Sequence, residues 1–568
     1  MQRMPEIILY NEKTTLTSVY KAMRSKDLAD CVTEAISALK QLDNYMDLKV
    51  KEKSASVSLK HGVDGKQAFY EGEFQMALVC YNMALMRAPP KSEAMRLSYY
   101  SRAELLFKTK QFPACVKDID TCLALDCPDN LVKKLQEMKA AASRFTWMDR
   151  MLRKEIFSPF SQEFFTLKGA RNPDIPCASS DVEIIMESGK PKVVAAKDIP
   201  VGTVVAVEKS FTAANHVMNH ITACHHCLKM DLNLIPCEGC CSAMFCDEQC
   251  KDKAMQDGHN VECKIIDLIL DSIKLPVLAA IKIRQRCRSW DEFITASYDL
   301  GVKRMENSTI EEIFGCEKFS LLNSHHDTHF LYGAMFNRSM FFANVLHFME
   351  KFTSFLPNSP KDKNAAIRAL SRVMMHISLY SIPVQLQHYT TASTSNETIL
   401  HNYSSCGYFP FIGNLTNSCL PNTYVAGLWN SAALLTLAPI KKGDELTFSY
   451  MGHWLEVESS ETKIRAKKTF IHYRTVCKDC IICGGRTDNT LLNDTQAKAF
   501  KKFTAYCNDP GRIFPPNVES DFRENCNILL ALSDAPCSKE YEMAYVKFLK
   551  CLMFCVQSKY PNAIMSRY

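Results

Sequence analysis

The sequence predicts an α+β multidomain protein. A small, irregular β core is split by a cysteine-rich finger and a helical insert, and helical regions stand at both ends. Three observations carry this. The chain has 568 residues, too many for one hydrophobic core. Cysteine and histidine crowd into residues 224–263 at spacings that suit metal. Short aliphatic runs punctuated by Pro, Gly and Lys-Lys-Gly-Asp turns stand on both sides of that cluster, far apart in sequence.

The bulk numbers bound the function. Apolar residues are 47% and charged residues 23%, the balance of an ordinary globular chain. The net charge of +6 is spread out, and no basic, aromatic-rich stretch accompanies it. That argues against direct nucleic-acid binding. The start, Met1-Gln-Arg-Met-Pro-Glu, lacks the apolar region of a secretory signal. No run of about eighteen apolar residues offers a membrane helix. The expectation is a cytoplasmic or nuclear protein, where disulfides are rare. In such a compartment 26 cysteines point to metal.

Residues 1–58 read as N-terminal helices, with apolar residues at helical spacing from Val19 to Leu39. Residues 59–146 hold two related units. The first contains Gly65, Gly72, Phe74, Ala77, Tyr81, Ala84 and Pro89; the second contains Ala103, Lys110, Phe112, Cys115, Ile119 and Cys122. Small residues recur where the helices of a hairpin approach, and proline follows where it no longer breaks a helix. Such an array is either a groove for a peptide partner or a helical buttress, and both readings stand. Residues 147–180 read as a linker, ending in the turn-rich "ARNPDIPCASS".

The finger reads Cys224-x2-Cys227-x9-Cys237-x2-Cys240-x5-Cys246-x3-Cys250-x8-His259-x3-Cys263. Eight soft donors are what two closed tetrahedral zinc sites need, and closed sites are structural. Their binding energy is folding energy for so short a segment. Spacing leaves the pairing open. Before the finger, Val193–Ala196 and Thr203–Glu208 read as strands joined by a Pro-Gly turn. After it, residues 264–400 read as mainly helical, with one helix from Ile265 to Leu275 stopped by Pro276 and another from Ala365 to Tyr380. Then "GLWNSAALLTLAPIKKGDELTFSY" gives strand, turn, strand, followed by Cys477-x2-Cys480-x2-Cys483. The last part, with "EYEMAYVKFLKCLMFCVQSKY", is helical.

These residues resemble the SET and MYND domain-containing proteins, specifically their tetratricopeptide-bearing subgroup. The match rests on "VVAAKDIPVGTVVAVE", the finger, "NSCLPN" (417–422) and "KKGDELTFSY" (441–450). The resemblance implies a SET core in two parts, 181–223 and 401–455. The MYND finger (224–263) and the helical insert (264–400) lie between them. A post-SET zinc segment (456–485) and a helical end (486–568) follow. It implies one zinc ion on Cys224, Cys227, Cys246 and Cys250, and one on Cys237, Cys240, His259 and Cys263. A third would sit on Cys419, Cys477, Cys480 and Cys483. It implies methyl transfer from S-adenosylmethionine to a lysine of a histone or non-histone protein, with Tyr450 catalytic.

Donor contacts are implied at Thr416, Asn417, Tyr450 and near Lys190, and there the chain departs from the family. Thr416 and Asn417 stand for Asn-His, Lys190-Pro191-Lys192 for a glycine loop, and Tyr389 for an asparagine. Thr475 or Val476 stands where an aromatic usually covers adenine. MYND fingers imply a proline-containing peptide or co-regulator as partner. The other reading is therefore an inactive adaptor, in a transcriptional setting, that binds partners through finger and repeats.

Overall fold

The computed structural model describes residues 19, 21–24, 27–40, 50–152, 165–187, 190–215, 220–324, 332–393, 398–450, 491–508 and 518–555. After helix α1 (Leu28–Lys40) come two helical hairpins, α2 (Ala55–Glu71) with α3 (Phe74–Arg87) and α4 (Glu93–Lys108) with α5 (Phe112–Leu123). Helix α6 (Asp129–Leu152) closes the row. It runs past the end expected at 146, because no Gly or Pro interrupts it.

Ser54 and Ser92 cap α2 and α4 by accepting the Val57 and Met95 N–H groups. Gly72 ends α2 in the left-handed region at φ 85°. Gly65 is required by packing, since a β-carbon there would stand 2.7 Å from the Tyr81 ring. The row buries Ala77, Tyr81, Leu85, Ala103, Leu106, Cys115 and Ile119 in a core that continues into Leu234, Met244 and Phe245 of the finger.

The strands form small separate sheets. Strand β1 (Val182–Glu187) pairs antiparallel with β2 (Lys190–Ala195). Strand β3 (Val204–Lys209) joins a sheet containing β10 (Thr423–Leu428) and β11 (Ser431–Thr436), in the order β10-β11-β3. Strand β4 (Thr212–Asn215) pairs with β8 (Thr398–Tyr408), which also pairs with β7 (Pro383–Ser393). The finger holds a minimal pair, β5 (Ile235–Pro236) and β6 (Met244–Phe245). Strand β9 (Thr416–Asn417) runs parallel to β12 (Thr447–Phe448).

Three expectations need correction. The strands of "VVAAKDIPVGTVVAVE" do not pair with each other: β2 takes β1 and β3 takes β11. Their connector is itself bridged, with Ile199 and Ile440 exchanging both backbone hydrogen bonds. No helix covers Ile265–Leu275. A short 3-10 turn at Ile266–Leu268 precedes a helix over Asp271–Arg286 that contains Pro276. Proline there costs the one bond that the Ser272 carbonyl would accept, and Ser272 is exposed to water. Finally, the end of the segment 264–400 is not helical. Val384 and Leu386 are buried on one face while Gln385 is exposed, the alternation of a strand.

Long helices at Tyr332–Phe352 and Pro360–Tyr380 pack with α1. Helices at Val518–Ala531 and Lys539–Cys555 cover Ala426 and Leu435 of the β10-β11 sheet and Leu437 just beyond it. Among the described residues no helix is long and apolar enough to cross a membrane.

Candidate metal centre and donor site

The chain folds the eight finger donors into two interleaved groups. In each, the ligand atoms lie within 4.8 Å of one another: Cys224, Cys227, Cys246 and Cys250, and Cys237, Cys240, His259 and Cys263. Local structure explains the placement. The Cys224 N–H donates to the Lys229 carbonyl and the Leu228 N–H to the Cys224 carbonyl, closing a tight turn. Asp247 caps the helix Glu248–Ala254 by accepting the Cys250 N–H at 2.7 Å. Gly239 leaves room for the second group, since a β-carbon there would stand 2.8 Å from the Cys263 sulfur.

The groups fit zinc. Two thiolates on one tetrahedral zinc stand about 3.8 Å apart, given zinc–sulfur bonds of about 2.3 Å. The Cys227 and Cys246 sulfurs are 3.5 Å apart, and those of Cys237 and Cys263 3.7 Å. The Cys240 sulfur lies 3.8 Å from His259 Nε2. Hydrogen bonds from neighbouring thiols, Cys227 for Cys224 and Cys240 for Cys237, pull one thiol of each group well below its usual range. Their partners Cys227, Cys246 and Cys240 are pushed up in turn by the thiolate beside them and by burial, so each group holds one thiolate among thiols.

Sequence reasoning missed Glu262. It is buried, and its Oε2 stands 2.7 Å from His225 Nε2 and 2.8 Å from His259 Nδ1. Burial would raise its pKa, but the two imidazoles outweigh that and hold the carboxyl well below the usual carboxylate range. A signal was present: Glu262 sits three residues after His259, on the same face of a helical turn.

The finger is not free-standing. Arg102 on α4 is fully buried. It donates to both Asp118 oxygens, to Asn82 Oδ1 at 2.7 Å and to the Leu234 carbonyl at 2.9 Å. Asn233 donates to the Ala114 carbonyl and to Asp118, and Lys53 donates to the Cys237 carbonyl. Of the two readings of the array, this face serves as the buttress.

At the donor stretch the chain brings several expected residues together. Parallel pairing of β9 with β12 sets Asn417 beside Phe448, and Asn417 Oδ1 accepts the Tyr450 N–H at 3.0 Å. The Tyr450 hydroxyl donates to the Leu415 carbonyl at 2.8 Å, and burial pushes its pKa up. Thr416 donates its hydroxyl to Glu445, whose other oxygen lies 3.6 Å from the Lys192 ammonium. Lys190 opens β2, opposite Glu187. Asn422 is built into the fold, accepting the Thr447 N–H and donating to the Glu445 carbonyl. Cys419 is buried. Its expected partners Cys477, Cys480 and Cys483 lie outside the described residues, as do Thr475 and Val476. Tyr389 falls in β7, opposite Asn402.

Residues 224–263 match the family model of the MYND finger. The chain is 23% identical over 552 residues to the orangutan "Protein-lysine N-methyltransferase SMYD4" and 22% identical over 555 residues to the human one. Each match covers 74% of this chain and 66% of the relative. The mouse protein of that name is 24% identical over 592 residues, covering 83% of this chain and 72% of its own. This chain thus spans just under two thirds of the orangutan and human relatives. The chain therefore carries a MYND finger. Over about three quarters of its length the chain is similar to the orangutan and human SMYD4 proteins.

Proposed function

We propose that the chain is an S-adenosylmethionine-dependent protein-lysine N-methyltransferase of the SET and MYND type, with a divergent donor site and a histone or non-histone lysine as substrate. On this reading residues 181–223 and 401–455 are parts of one SET core, and residues 59–146 are the tetratricopeptide-like array. Cys419 would share a third zinc with Cys477, Cys480 and Cys483.

The observation that carries the reading is the meeting of Asn417 with Tyr450. S-adenosylmethionine would supply the methyl group. Asn417 fixes the Tyr450 backbone through its side-chain oxygen. The Tyr450 hydroxyl, fixed on the Leu415 carbonyl, gives a site an oriented dipole in a half-buried setting. A dry channel also favours the neutral lysine that attack requires. Lys192 and Thr416, tied through Glu445, would form its rim.

A second reading, an adaptor without catalysis, is favoured by the Thr416–Glu445 bond, which commits a donor-contact position to the fold. Its partners would be a proline-containing peptide or co-regulator at the finger. Calorimetric titration of zinc-loaded protein with S-adenosylmethionine and its demethylated product separates the two. Micromolar binding supports the enzyme; no binding at millimolar ligand overturns it in favour of the adaptor.

A further inference from the structure

Glu262 lies between the two metal groups, and its geometry is specific. His259 turns Nε2 toward its metal group and Nδ1 toward Oε2, and a neutral imidazole that gives one nitrogen to a metal carries its proton on the other. For His259 this fixes the proton on Nδ1 and leaves the Nε2 lone pair directed toward Cys240. His225 directly follows Cys224, a donor of the other group. The His225 and His259 rings are 4.8 Å apart, and Phe245, which precedes Cys246, packs edge-on against both, at 6.1 and 5.5 Å.

A third metal ion is a poor account of this triad. Two donors on one tetrahedral ion with bonds of about 2.0–2.2 Å stand about 3.3 Å or more apart. The 2.7 and 2.8 Å separations are those of direct hydrogen bonds.

We propose that Glu262 is a positioning residue shared by both metal centres of the finger. It sets the tautomer and ring orientation of the ligand His259, and through His225 it ties the Cys224 turn to the same carboxylate oxygen. The two ions are then held cooperatively. This rests on the reading of the finger as a zinc module.

The test uses the full chain. Zinc content of the native protein is measured first; no zinc there would sink the zinc reading and this proposal with it. Zinc release to a chelating dye is then followed for native protein, Glu262→Gln and Glu262→Asp. Absorption of the cobalt-substituted proteins reports the three-sulfur, one-nitrogen site directly. Glu262→Gln should weaken metal binding at the His259 site about 10–100-fold. It should alter that site's cobalt bands and break the joint release of the two ions, while far-UV circular dichroism stays native. Glu262→Asp should recover part of the loss. A zinc-loaded Glu262→Gln protein with native release of both ions and unaltered cobalt bands would overturn the proposal. If Glu262→Gln does not fold, Glu262→Asp decides: intermediate release supports the coupling, and native release counts against it.

Discussion

The finger and the donor stretch are both built from polar side chains held against carbonyls and carboxylates, yet they are held for different ends. In the finger, eight soft donors converge on two points and Glu262 braces one of them. In the stretch from Thr416 to Tyr450, polar groups instead close on one another: Asn417 on Tyr450, Thr416 on Glu445, Asn422 on Thr447. The first arrangement suits a cation. The second closes within the chain itself and ties β9 to β12 and its flanks.

Removing a finger donor tests that contrast most severely. Structural zinc in a finger is worth about 10–16 kcal/mol of binding, most of it folding energy. Cys224→Ser should lose at least one of the two finger ions by elemental analysis and lower the melting temperature sharply. Unchanged metal content would break the comparison at its stronger side.

Breaking the joint between finger and array comes next. Arg102→Met leaves Asp118 buried against Asn233 with its cation gone. Removing one partner of a buried pair costs about 3–5 kcal/mol. Urea denaturation should show that loss, and proteolysis should cut between residues 55 and 152 sooner. A variant as stable as the native chain would make the array an independent unit and restore the groove reading of this face.

At the donor stretch a single atom is informative. Tyr450→Phe loses the hydrogen bond to the Leu415 carbonyl, worth about 1 kcal/mol. Any methyl transfer should vanish while the fold persists. Equal transfer by the variant, read by isotope-labelled methyl incorporation, would remove Tyr450 from the mechanism.

The legible part of this molecule was its local chemistry. Ligand spacing at residues 224–263 and the small residues of the helical units act within a few turns of chain, so sequence carries them directly. Partner choice among strands is not local. Nothing within "VVAAKDIPVGTVVAVE" says that β3 takes β11 or that the connector bridges to Ile440, because those partners lie more than two hundred residues away, while β2 takes the neighbouring β1, just outside the motif. Pro276 misled for a related reason. Its missing N–H matters only if the carbonyl it abandons is dry, and the Ser272 carbonyl lies in the exposed first turn. Glu262 was passed over because a carboxylate between two histidines declares itself only once the fold brings His225 to it from 37 residues away. Asn417 and Tyr450 could be found by motif, but the engagement of Thr416 with Glu445 could not.

Glu208 gives the finest test of whether the donor stretch is scaffold. It is fully buried on β3 and accepts the Phe411 and Ile412 N–H groups, each at 2.9 Å. Those residues lead directly into Gly413–Asn422. Burial pushes its carboxyl up to about 8, against the opposing pull of the two N–H groups. The unfolded chain ionises it near 4.5. Between those values the folded state holds a proton that the unfolded state has released, so this group makes stability fall as pH rises from about 4.5 through about 8 and level off above. Glu208→Gln removes the titration and leaves one acceptor for two donors. Its urea midpoint at pH 5.5 should drop slightly, and the native fall between pH 5.5 and 8.5 should flatten. Equal slopes in both proteins would mean that Glu208 is ionised throughout. The entrance to the donor stretch would then carry a fixed buried charge, as the finger does, and the contrast between the two regions would narrow to the metal alone.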